Sequence, residues 1–217
     1  MTKKPPPRKM QFRLHPDAGL WFSCRVSESI NAVPDAAESI WGELARATSD
    51  STHSWRTPAL ATADGAVRTV VLRRVSEARR ELVFYTDARS PKVAQLSVVP
   101  VVEWLFYNPM NGVQVRARAT ATVNADNETS EIAWRDVPDA NRLNYCSAQP
   151  PGTPLPKHHA EAAPSSPQTE AGYRNFAVVT TQVASFDWLR LAPSGNQRRL
   201  FEFITAANEW KSASLVP

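Results

Sequence analysis

Basic and hydroxyl side chains are concentrated in one short stretch of the chain, residues 68–92. The basic members are Arg68, Arg73, Arg89 and Lys92, and the accompanying hydroxyls are those of Thr86 and Ser90. Two runs of strand-like composition bring these groups towards the edge of a small sheet. Charge-assisted hydrogen bonds from such groups to a phosphate are short and strong. The stretch therefore predicts a phosphate site, and a solvated basic hairpin edge is the alternative.

Backbone geometry adds two constraints to this prediction. On one continuous strand Arg68 and Arg73 point to opposite faces, so they either flank a ligand from its two ends or the strand breaks or twists between them. The pair Ser90-Pro91 is typical of a helix start, with Ser90 as the N-cap residue and proline in the first turn. A helix amino terminus attracts phosphate, which favours the ligand interpretation.

The elements that must position these residues are mostly strands. A helix that opens at Pro34 or Asp35 carries Ile40, Trp41, Leu44 and Ala45 on one face. Further short helices are predicted at Pro91–Val98 and at 127–137. The predicted strands are Arg56–Thr62, Val67–Val75, Glu81–Thr86, Val101–Tyr107, Val113–Val123, Phe176–Leu191 and Leu200–Thr205.

Two hairpin signals and one alternation support these strands. Asp64-Gly65 separates the first two strands, and Asn108–Gly112 separates the fourth and fifth. In Val113–Val123 small apolar residues alternate with polar ones, which is typical of a strand with one buried face. Strands without βαβ alternation indicate an antiparallel barrel of roughly six to seven strands with small helices attached.

Composition and charge limit the classes of function. The net charge is +4, but residues 1–14 hold five basic residues (Lys3, Lys4, Arg8, Lys9 and Arg13) and no acidic one, so the rest is close to neutral. A basic face on the folded domain, typical of nucleic-acid binding, is not indicated. No apolar run approaches the roughly 18 residues of a transmembrane helix, and no secretory signal is evident. We therefore expect a cytoplasmic protein without a nucleic-acid or membrane partner.

The chain is predicted to have one folded domain. Residues 1–30 are basic and include Pro5-Pro6-Pro7, which predicts a flexible amino-terminal extension. The domain occupies 31–217 and is interrupted at 148–172 by a proline-rich loop.

The order of motifs resembles the pyridoxamine 5'-phosphate oxidase-like family, in its FMN-binding split-barrel branch. The matching segments are the Trp41 helix, Pro58–Gly65 (PALATADG), 68–73 (RTVVLR), 85–92 (YTDARSPK), 114–116 (QVR), 187–199 (DWLRLAPSGNQRR) and the carboxyl-terminal Trp210 with Leu-Val-Pro. The resemblance covers about residues 34–217 and implies an antiparallel split β-barrel.

The resemblance also implies a cofactor and its residues. FMN would be bound without a covalent link at the interface of a homodimer. The implied cofactor-binding residues are Arg68, Thr69, Val70, Val71, Leu72, Arg73, Tyr85, Thr86, Arg89, Ser90, Lys92, Gln114, Trp188 and Arg198. Of these, Gln114, Trp188 and one arginine after it would come from the neighbouring subunit. The cofactor itself would carry the redox chemistry, so no catalytic residue is predicted.

Departures from the family pattern leave the reaction open. The family's vitamin-phosphate oxidases carry a Tyr-x-x-x-Arg-Pro-x-x-Ser segment and a late Arg-x-His pair. This chain has RLNYCS at 142–147 and NQRR at 196–199. We therefore expect an FMN-dependent oxidoreductase of unknown substrate. The alternatives are a true pyridoxamine/pyridoxine 5'-phosphate oxidase and a flavin-binding carrier or sensor without turnover.

Other candidate residues are weaker. His158 and His159 lack partners at metal-ligand spacing, so no metal site is predicted. His53 suits a loop or capping role better than contact with flavin or substrate. Cys146 has no sequence-evident base, which disfavours a nucleophile.

Overall fold

The computed structural model describes residues 37–154 and 169–217. Several predictions lie outside these ranges: the extension at 1–30, the helix start at Pro34 or Asp35, and the part of the 148–172 loop that holds His158 and His159.

Within the described residues, nine antiparallel strands form the sheet. They are β1 Ala59–Thr62, β2 Val67–Thr69, β3 Arg74–Ser76, β4 Glu81–Asp87, β5 Val101–Asn108, β6 Val113–Asn124, β7 Phe176–Arg190, β8 Gln197–Ile204 and β9 Glu209–Leu215. Their order is β2-β1-β5-β6-β7-β4-β3, with β8 paired to β7 and β9 paired to β8. The predicted class, a mainly β antiparallel split barrel, is confirmed.

The strand predicted at Val67–Val75 is wrong as a single element, because it breaks between Thr69 and Arg74. Its two halves, β2 and β3, lie at opposite ends of the strand order, and residues 70–73 connect them. The amide of Val70 donates to Pro58 O (3.1 Å) and that of Leu72 to Arg56 O (2.9 Å), whereas Arg73 N donates to Val83 O (2.8 Å). The segment thus changes partner from the β1 side to β4 and closes the barrel.

Five α-helices of the described part of the chain surround the sheet. They are α1 Glu38–Ser49, α2 Pro91–Val98, α3 Glu128–Arg135, α4 Asp139–Arg142 and α5 Thr169–Tyr173, with a 3₁₀ turn at Leu143–Tyr145. Helix α1 buries Ile40, Trp41 and Leu44 as expected, but Ala45 is exposed and Glu43 takes a place on the buried face. Helix α2 has the predicted bounds.

The barrel interior is formed by alternate residues of its strands. On β6 the side chains of Val113, Val115, Ala117, Ala119 and Ala121 are all buried, as the alternation predicts. They pack with large aromatic residues of the neighbouring strands, Trp104, Phe106, Phe186 and Trp188. A second apolar cluster lies outside the barrel, where Val83 of β4 and Val178 of β7 meet Trp134 and Tyr145. Strand β4 is therefore buried on both faces.

Strand β9 is not predicted by the sequence pattern. Its segment, EWKSASL, has little β-branched content, and most of its side chains are exposed. It pairs only with β8 within the described strands, and Trp210 packs against Phe186 and the core, so one ladder and one aromatic side chain fix it. No described helix has both the length and the apolar composition needed to cross a membrane.

Gly112 fixes the β5–β6 hairpin to the end of β7, and this contact gives a stability prediction. Gly112 has φ +66°, and an added Cβ would lie 2.4 Å from the carbonyl oxygen of Leu191. Gly65 has φ +83° but open space around it. We expect Gly65→Ala to cost about 1 kcal/mol from backbone strain alone. Gly112→Ala should cost a further ~1–3 kcal/mol because of the clash.

Urea unfolding of the two variants measures the difference as a shift of midpoint at constant slope. Gly65→Ala is the matched control, since both replacements place an alanine at a positive φ and cause the same kind of backbone strain. Equal midpoints for the two variants would contradict the close approach of Gly112 to Leu191.

Candidate functional site

The end of β4 and the start of α2 form a small polar cluster around one half-buried ammonium group, that of Lys92. Lys92 Nζ donates to Thr86 Oγ1 (2.9 Å) and to Ser90 Oγ (3.3 Å), and the two hydroxyls lie 3.2 Å apart. Thr86 and Ser90 are both buried. Thr86 lies on the same face of β4 as Leu82 and Phe84, which point into the core. The cluster therefore lies at an end of the barrel interior.

Arg68 reaches the same end of the barrel from β2. It pairs with the fully buried Leu60 and therefore shares its face. Its guanidinium donates to Thr62 Oγ1 (2.8 Å) and to Gln95 Oε1 (3.1 Å). Gln95 lies one turn after Lys92 on α2 and donates to Asp64 Oδ2 (2.6 Å). The β1–β2 hairpin, α2 and β4 thus converge on one polar site.

The two cations of this site are not neutralised. No ion pair joins Arg68 or Lys92 to a carboxylate of the described residues, and their hydrogen-bond partners are neutral oxygens. The pKa of Lys92 lies below its usual value, first because of burial and then because of the positive charge of Arg68, with Asp87 acting in the opposite sense. An anion between these side chains would relieve their repulsion. The residues present therefore fit a phosphate group.

Ser90 stands at the N-cap position of α2 as predicted, but its side chain makes no capping hydrogen bond. The reason is local competition, because its hydroxyl is turned towards Lys92 and Thr86 instead. The Ser90 hydroxyl therefore makes its hydrogen bonds within the polar cluster, and the amino terminus of α2 has no side-chain cap.

Arg89 lies near this cluster in sequence but makes other contacts. Its Nε and one terminal nitrogen donate to the two oxygens of Asp87 (3.0 and 2.7 Å), and it also donates to the carbonyls of Ser147 (3.0 Å) and Ala148 (3.4 Å). This bidentate pair anchors the segment after Tyr145 to the end of β4. Its guanidinium charge is already balanced, unlike that of Lys92.

Tyr85 and Arg73 lie on the opposite face of β4 from Thr86. The guanidinium carbon of Arg73 is 5.5 Å from the centre of the Tyr85 ring, and the Tyr85 hydroxyl accepts from Arg74 (3.1 Å). Between the two arginines of the 68–73 segment, Val70 and Leu72 enter the core, and Thr69 is exposed. Arg68 and Arg73 thus lie on different sides of the barrel wall, as strand alternation predicts.

A cavity of about 270 Å³ opens beside Arg73 and Tyr85. Arg56 and Arg74 complete its basic lining, and residues 136–138, which follow α3, form the rest. Arg56 donates to the carbonyls of Ala47 and Thr48 in the last turn of α1, and Arg74 lies 3.9 Å from Asp136. Arg73 makes no ion pair with a described carboxylate.

Gln114 and Arg198 share the outer face of the barrel. The strand register places Tyr107, Gln114, Leu189 and Arg198 in one row across β5 to β8. Asp187 receives two hydrogen bonds from Arg198, at 2.9 and 2.6 Å, and one from Arg116. These bonds, those of Arg198 first, lower the pKa of Asp187. Arg198 is therefore held in one orientation.

Trp188 differs from the other residues assigned to the neighbouring subunit. It belongs to the opposite face of β7 and is only 2% exposed, in the core cluster of its own chain. The sequence places it next to Asp187, but the strand alternation separates the two side chains.

Three residues of the polar network are not among the sequence-predicted site residues. They are Thr62, Asp64 and Gln95. Thr62 and Asp64 lie in the PALATADG segment, whose hairpin signal indicates structure rather than a ligand. Gln95 could be found from its i+3 spacing to Lys92 on the predicted helix.

His53 has a structural role in this fold. Its Nε2 lies 2.8 Å from Glu43 Oε1, and its Nδ1 accepts from the backbone N–H of Trp55 (3.1 Å), which assigns the proton to Nε2. Burial, followed by the charge of Arg46, lowers the pKa of His53.

The Cys146 thiol donates to the carbonyl of Arg142 (3.5 Å). Within residues 37–154 and 169–217, no group of three potential metal ligands is found.

Comparison with known proteins agrees with this geometry. Residues 38–125 match the family model described as pyridoxamine 5'-phosphate oxidase, FMN-binding domain. The match includes the β1–β2 hairpin, residues 70–73, β4 and α2. Over these residues the chain is similar to the FMN-binding domain of the pyridoxamine 5'-phosphate oxidase family.

Solved structures show the same fold. A pyridoxamine 5'-phosphate oxidase-related, FMN-binding protein from Nostoc punctiforme is 26% identical, with a TM-score of 0.69 over 86% of this chain and 100% of that chain. PhzG from Burkholderia lata, solved with tetrahydrophenazine-1-carboxylic acid, is 17% identical, with a TM-score of 0.64 over 90% and 98%. A search of curated proteins finds no match.

Tyr145 lies close to Arg73 and Tyr85, and its ionisation can be tested directly. Burial raises its pKa to about 12. A raised pKa means that the folded state is stabilised below the usual tyrosine pKa near 10 and loses that stabilisation as pH rises through the folded value. We expect the free energy of unfolding to fall between about pH 10 and 12 more steeply in the wild type than in Tyr145→Phe.

Denaturant unfolding at several alkaline pH values measures this difference. The interval from about pH 7 to 9 is the control, since it lies below the usual tyrosine pKa and the two proteins should give parallel profiles there. Identical profiles for the wild type and Tyr145→Phe would contradict the burial of the Tyr145 hydroxyl.

Proposed function

We propose that this protein binds FMN without a covalent link at the interface of a homodimer and acts as a flavin-dependent oxidoreductase. The observation that carries the proposal is the Arg68–Lys92 site, where two partly buried cations have neutral described partners. Lys92 with Thr86 and Ser90 would hold the FMN phosphate, and Arg68 would share its charge. FMN, when bound, supplies the redox chemistry. A location in the cytoplasm remains a prediction from the sequence.

The remaining proposed cofactor residues divide between two surfaces. Residues 69–73 and Tyr85 lie along the segment that closes the barrel and on the outer face of β4. Gln114 and Arg198 lie on the outer face of the central strands and would contact the cofactor of the other subunit. Arg89 and Trp188 stay in the proposed set, although the first is paired with Asp87 and the second is buried in its own core.

The homodimer is supported by apolar exposure on that outer face. Leu105 is 37% exposed, Tyr107 47% and Met110 92%, all on or next to β5. Leu105 and Tyr107 pair with Arg116 and Gln114, so the exposed apolar side chains border the polar row. A contact made here by two copies would bury these side chains and bring Gln114 and Arg198 towards the partner.

Replacing Lys92 tests the phosphate site. Lys92→Ala should weaken FMN binding about ten- to a hundredfold, because it removes charge-assisted hydrogen bonds worth roughly 1.5–3 kcal/mol. Arg89→Ala should have a smaller effect, because Asp87 already engages that guanidinium. Titration of the flavin-free protein with FMN, followed by visible absorption and fluorescence, measures both. Equal losses in the two variants would contradict the assignment of the phosphate to Lys92.

The pH dependence of FMN affinity provides an independent check. Bound phosphate favours protonated Lys92, and burial lowers the pKa of that group in the free protein. FMN affinity of the wild type should therefore fall as pH rises through this lowered value. Lys92→Arg keeps its charge to higher pH and should not show the fall. If both proteins gave the same alkaline profile, another group would control binding.

Replacing Leu105 tests the homodimer. Leu105→Glu should shift the protein from dimer to monomer in sedimentation equilibrium, since a buried unpaired charge at an interface is strongly unfavourable. FMN affinity should fall together with dimerisation. Ile132→Glu on α3 is the matched control, because Ile132 is 47% exposed and lies on a helix away from β5. A dimeric Leu105→Glu protein with normal FMN affinity would refute this interface.

A further inference from the structure

Two neutral side chains connect Arg68 to a carboxylate with which it makes no ion pair, that of Asp64. The guanidinium of Arg68 donates to Thr62 Oγ1 (2.8 Å) and to Gln95 Oε1 (3.1 Å). The Thr62 hydroxyl donates in turn to Asp64 Oδ1 (2.7 Å), and the Gln95 amide donates to Asp64 Oδ2 (2.6 Å). Two hydrogen-bond chains therefore start at Arg68 and end on the two oxygens of one carboxylate.

The direction of both chains is fixed by their ends. Arg68 can only donate, and an ionised carboxylate can only accept. The Thr62 hydroxyl has a single hydrogen, and its shortest acceptor is Asp64. The Gln95 amide must therefore turn its oxygen to Arg68 and its NH₂ to Asp64. The hydrogen bond from Thr62 lowers the pKa of Asp64 against a smaller effect of desolvation, and the charge of Arg68 adds to the lowering.

Arg68 differs in this respect from an arginine that pairs directly with a carboxylate. Arg89 donates to both oxygens of Asp87, at 3.0 and 2.7 Å, which fixes its guanidinium and balances its charge at the same time. At Arg68 a hydroxyl and an amide fix the guanidinium, and the negative charge lies one side chain further away. The cation is therefore oriented, but it stays available to a second anion.

The same helix carries the orienting amide and the second cation of the site. Gln95 follows Lys92 by three residues on α2, so the two side chains share one region of the helix surface. After burial, the charge of Arg68 is the next cause of the lowered pKa of Lys92, which indicates that the two cations act on the same space. A change in the position of Arg68 should therefore alter the field at an anion bound by Lys92.

We propose that Asp64 and Gln95 are positioning residues of the phosphate site. Asp64 sets the orientation of the Gln95 amide, and this amide presents Arg68 to a phosphate dianion without neutralising it. Both residues act through Arg68. That the anion is the phosphate of FMN rests on the proposed function, whereas the positioning of Arg68 does not.

Asp64→Asn removes the charge and one acceptor but keeps the shape of the side chain. The remaining oxygen accepts from Thr62 and from the backbone N–H of Ala66 (3.3 Å), so the new NH₂ group faces Gln95. The Gln95 amide must then turn over and present its own NH₂ to Arg68, which displaces the guanidinium. FMN affinity should fall about tenfold, because a charge-assisted hydrogen bond to the phosphate is lost.

The ratio of FMN affinity to riboflavin affinity distinguishes positioning from a general effect on structure. Riboflavin has the same ring and ribityl chain without the phosphate, so its affinity should not change in Asp64→Asn. General damage to the fold would lower both affinities and leave their ratio unchanged. Fluorescence titration of the flavin-free protein with each compound measures the ratio. A wild-type ratio in Asp64→Asn would overturn the proposal.

Gln95→Glu gives a second readout, because it replaces the neutral amide by a group that titrates. While protonated, the new carboxyl can donate to Asp64 and accept from Arg68, as the amide does. Once ionised, it pairs with Arg68 and competes with the phosphate. The FMN affinity of this variant relative to the wild type should therefore fall as pH rises from about 4.5 to 7.5.

Ser97→Glu is the matched control, since it adds the same charge at an exposed position of α2. Its FMN affinity relative to the wild type should not change with pH. An affinity of Gln95→Glu equal to that of Ser97→Glu at every pH would overturn the role of Gln95.

A wild-type protein that takes up neither flavin would refute the proposed flavin function and not the positioning of Arg68. Inorganic phosphate is then the probe, and the shift that it causes in the urea unfolding midpoint measures its binding. A smaller shift in Asp64→Asn than in the wild type would sustain the positioning role. Equal shifts, or no shift in the wild type, would overturn it.

Discussion

The fold depends on the change of hydrogen-bond partner along residues 70–73. These residues leave β2, donate to the carbonyls of Arg56 and Pro58, and then to that of Val83 at β4. Backbone amides of a buried segment must find acceptors, and here the acceptors belong to the two ends of the sheet. The segment therefore joins β1 to β4 and closes the barrel, with Val70 and Leu72 fixed in the core.

This closure also distributes the basic side chains. Arg68 faces the barrel interior, where it meets Thr62 and Gln95, and Arg73 faces the layer formed by α3 and Tyr85. The same division holds on β4, where Thr86 lies inside and Tyr85 outside. A single basic stretch of sequence thus supplies two cationic centres on opposite sides of one wall.

The two centres differ in how their charges are balanced. At Arg68 and Lys92 all described hydrogen-bond partners are neutral oxygens, and burial, followed by the charge of Arg68, lowers the pKa of Lys92. Around Arg73 the other cations have partners, and one charge remains. Several other described arginines have a carboxylate partner, as Arg89 has in Asp87 and Arg198 in Asp187. The two cationic centres differ from these pairs, because no ion pair joins Arg68, Lys92 or Arg73 to a described carboxylate.

Much of this could be predicted from the sequence, because the signals are local. The alternation in β6, the Asp64-Gly65 turn and the Pro91 helix start specify their elements directly. The break between β2 and β3 could not be predicted, since Val-Val-Leu is typical of a strand. Only the change of backbone hydrogen-bond partner interrupts the strand there. Strand β9 could not be predicted, because its sequence has no alternating apolar face. The contacts of the Ser90 hydroxyl could not be predicted either, because Lys92 reaches it only in the folded chain.

Under the proposed function, the wall formed by β4 divides the cofactor residues into two groups. Phosphate affinity would depend on Lys92 and Arg68 inside the barrel, whereas Arg73 and Tyr85 lie on its outer side. The two groups share no hydrogen bond in the described network, so replacements on the two sides should be nearly additive. The absence of the vitamin-phosphate oxidase motifs around 142–147 and 196–199 is then a difference on the substrate side, compatible with a retained cofactor site.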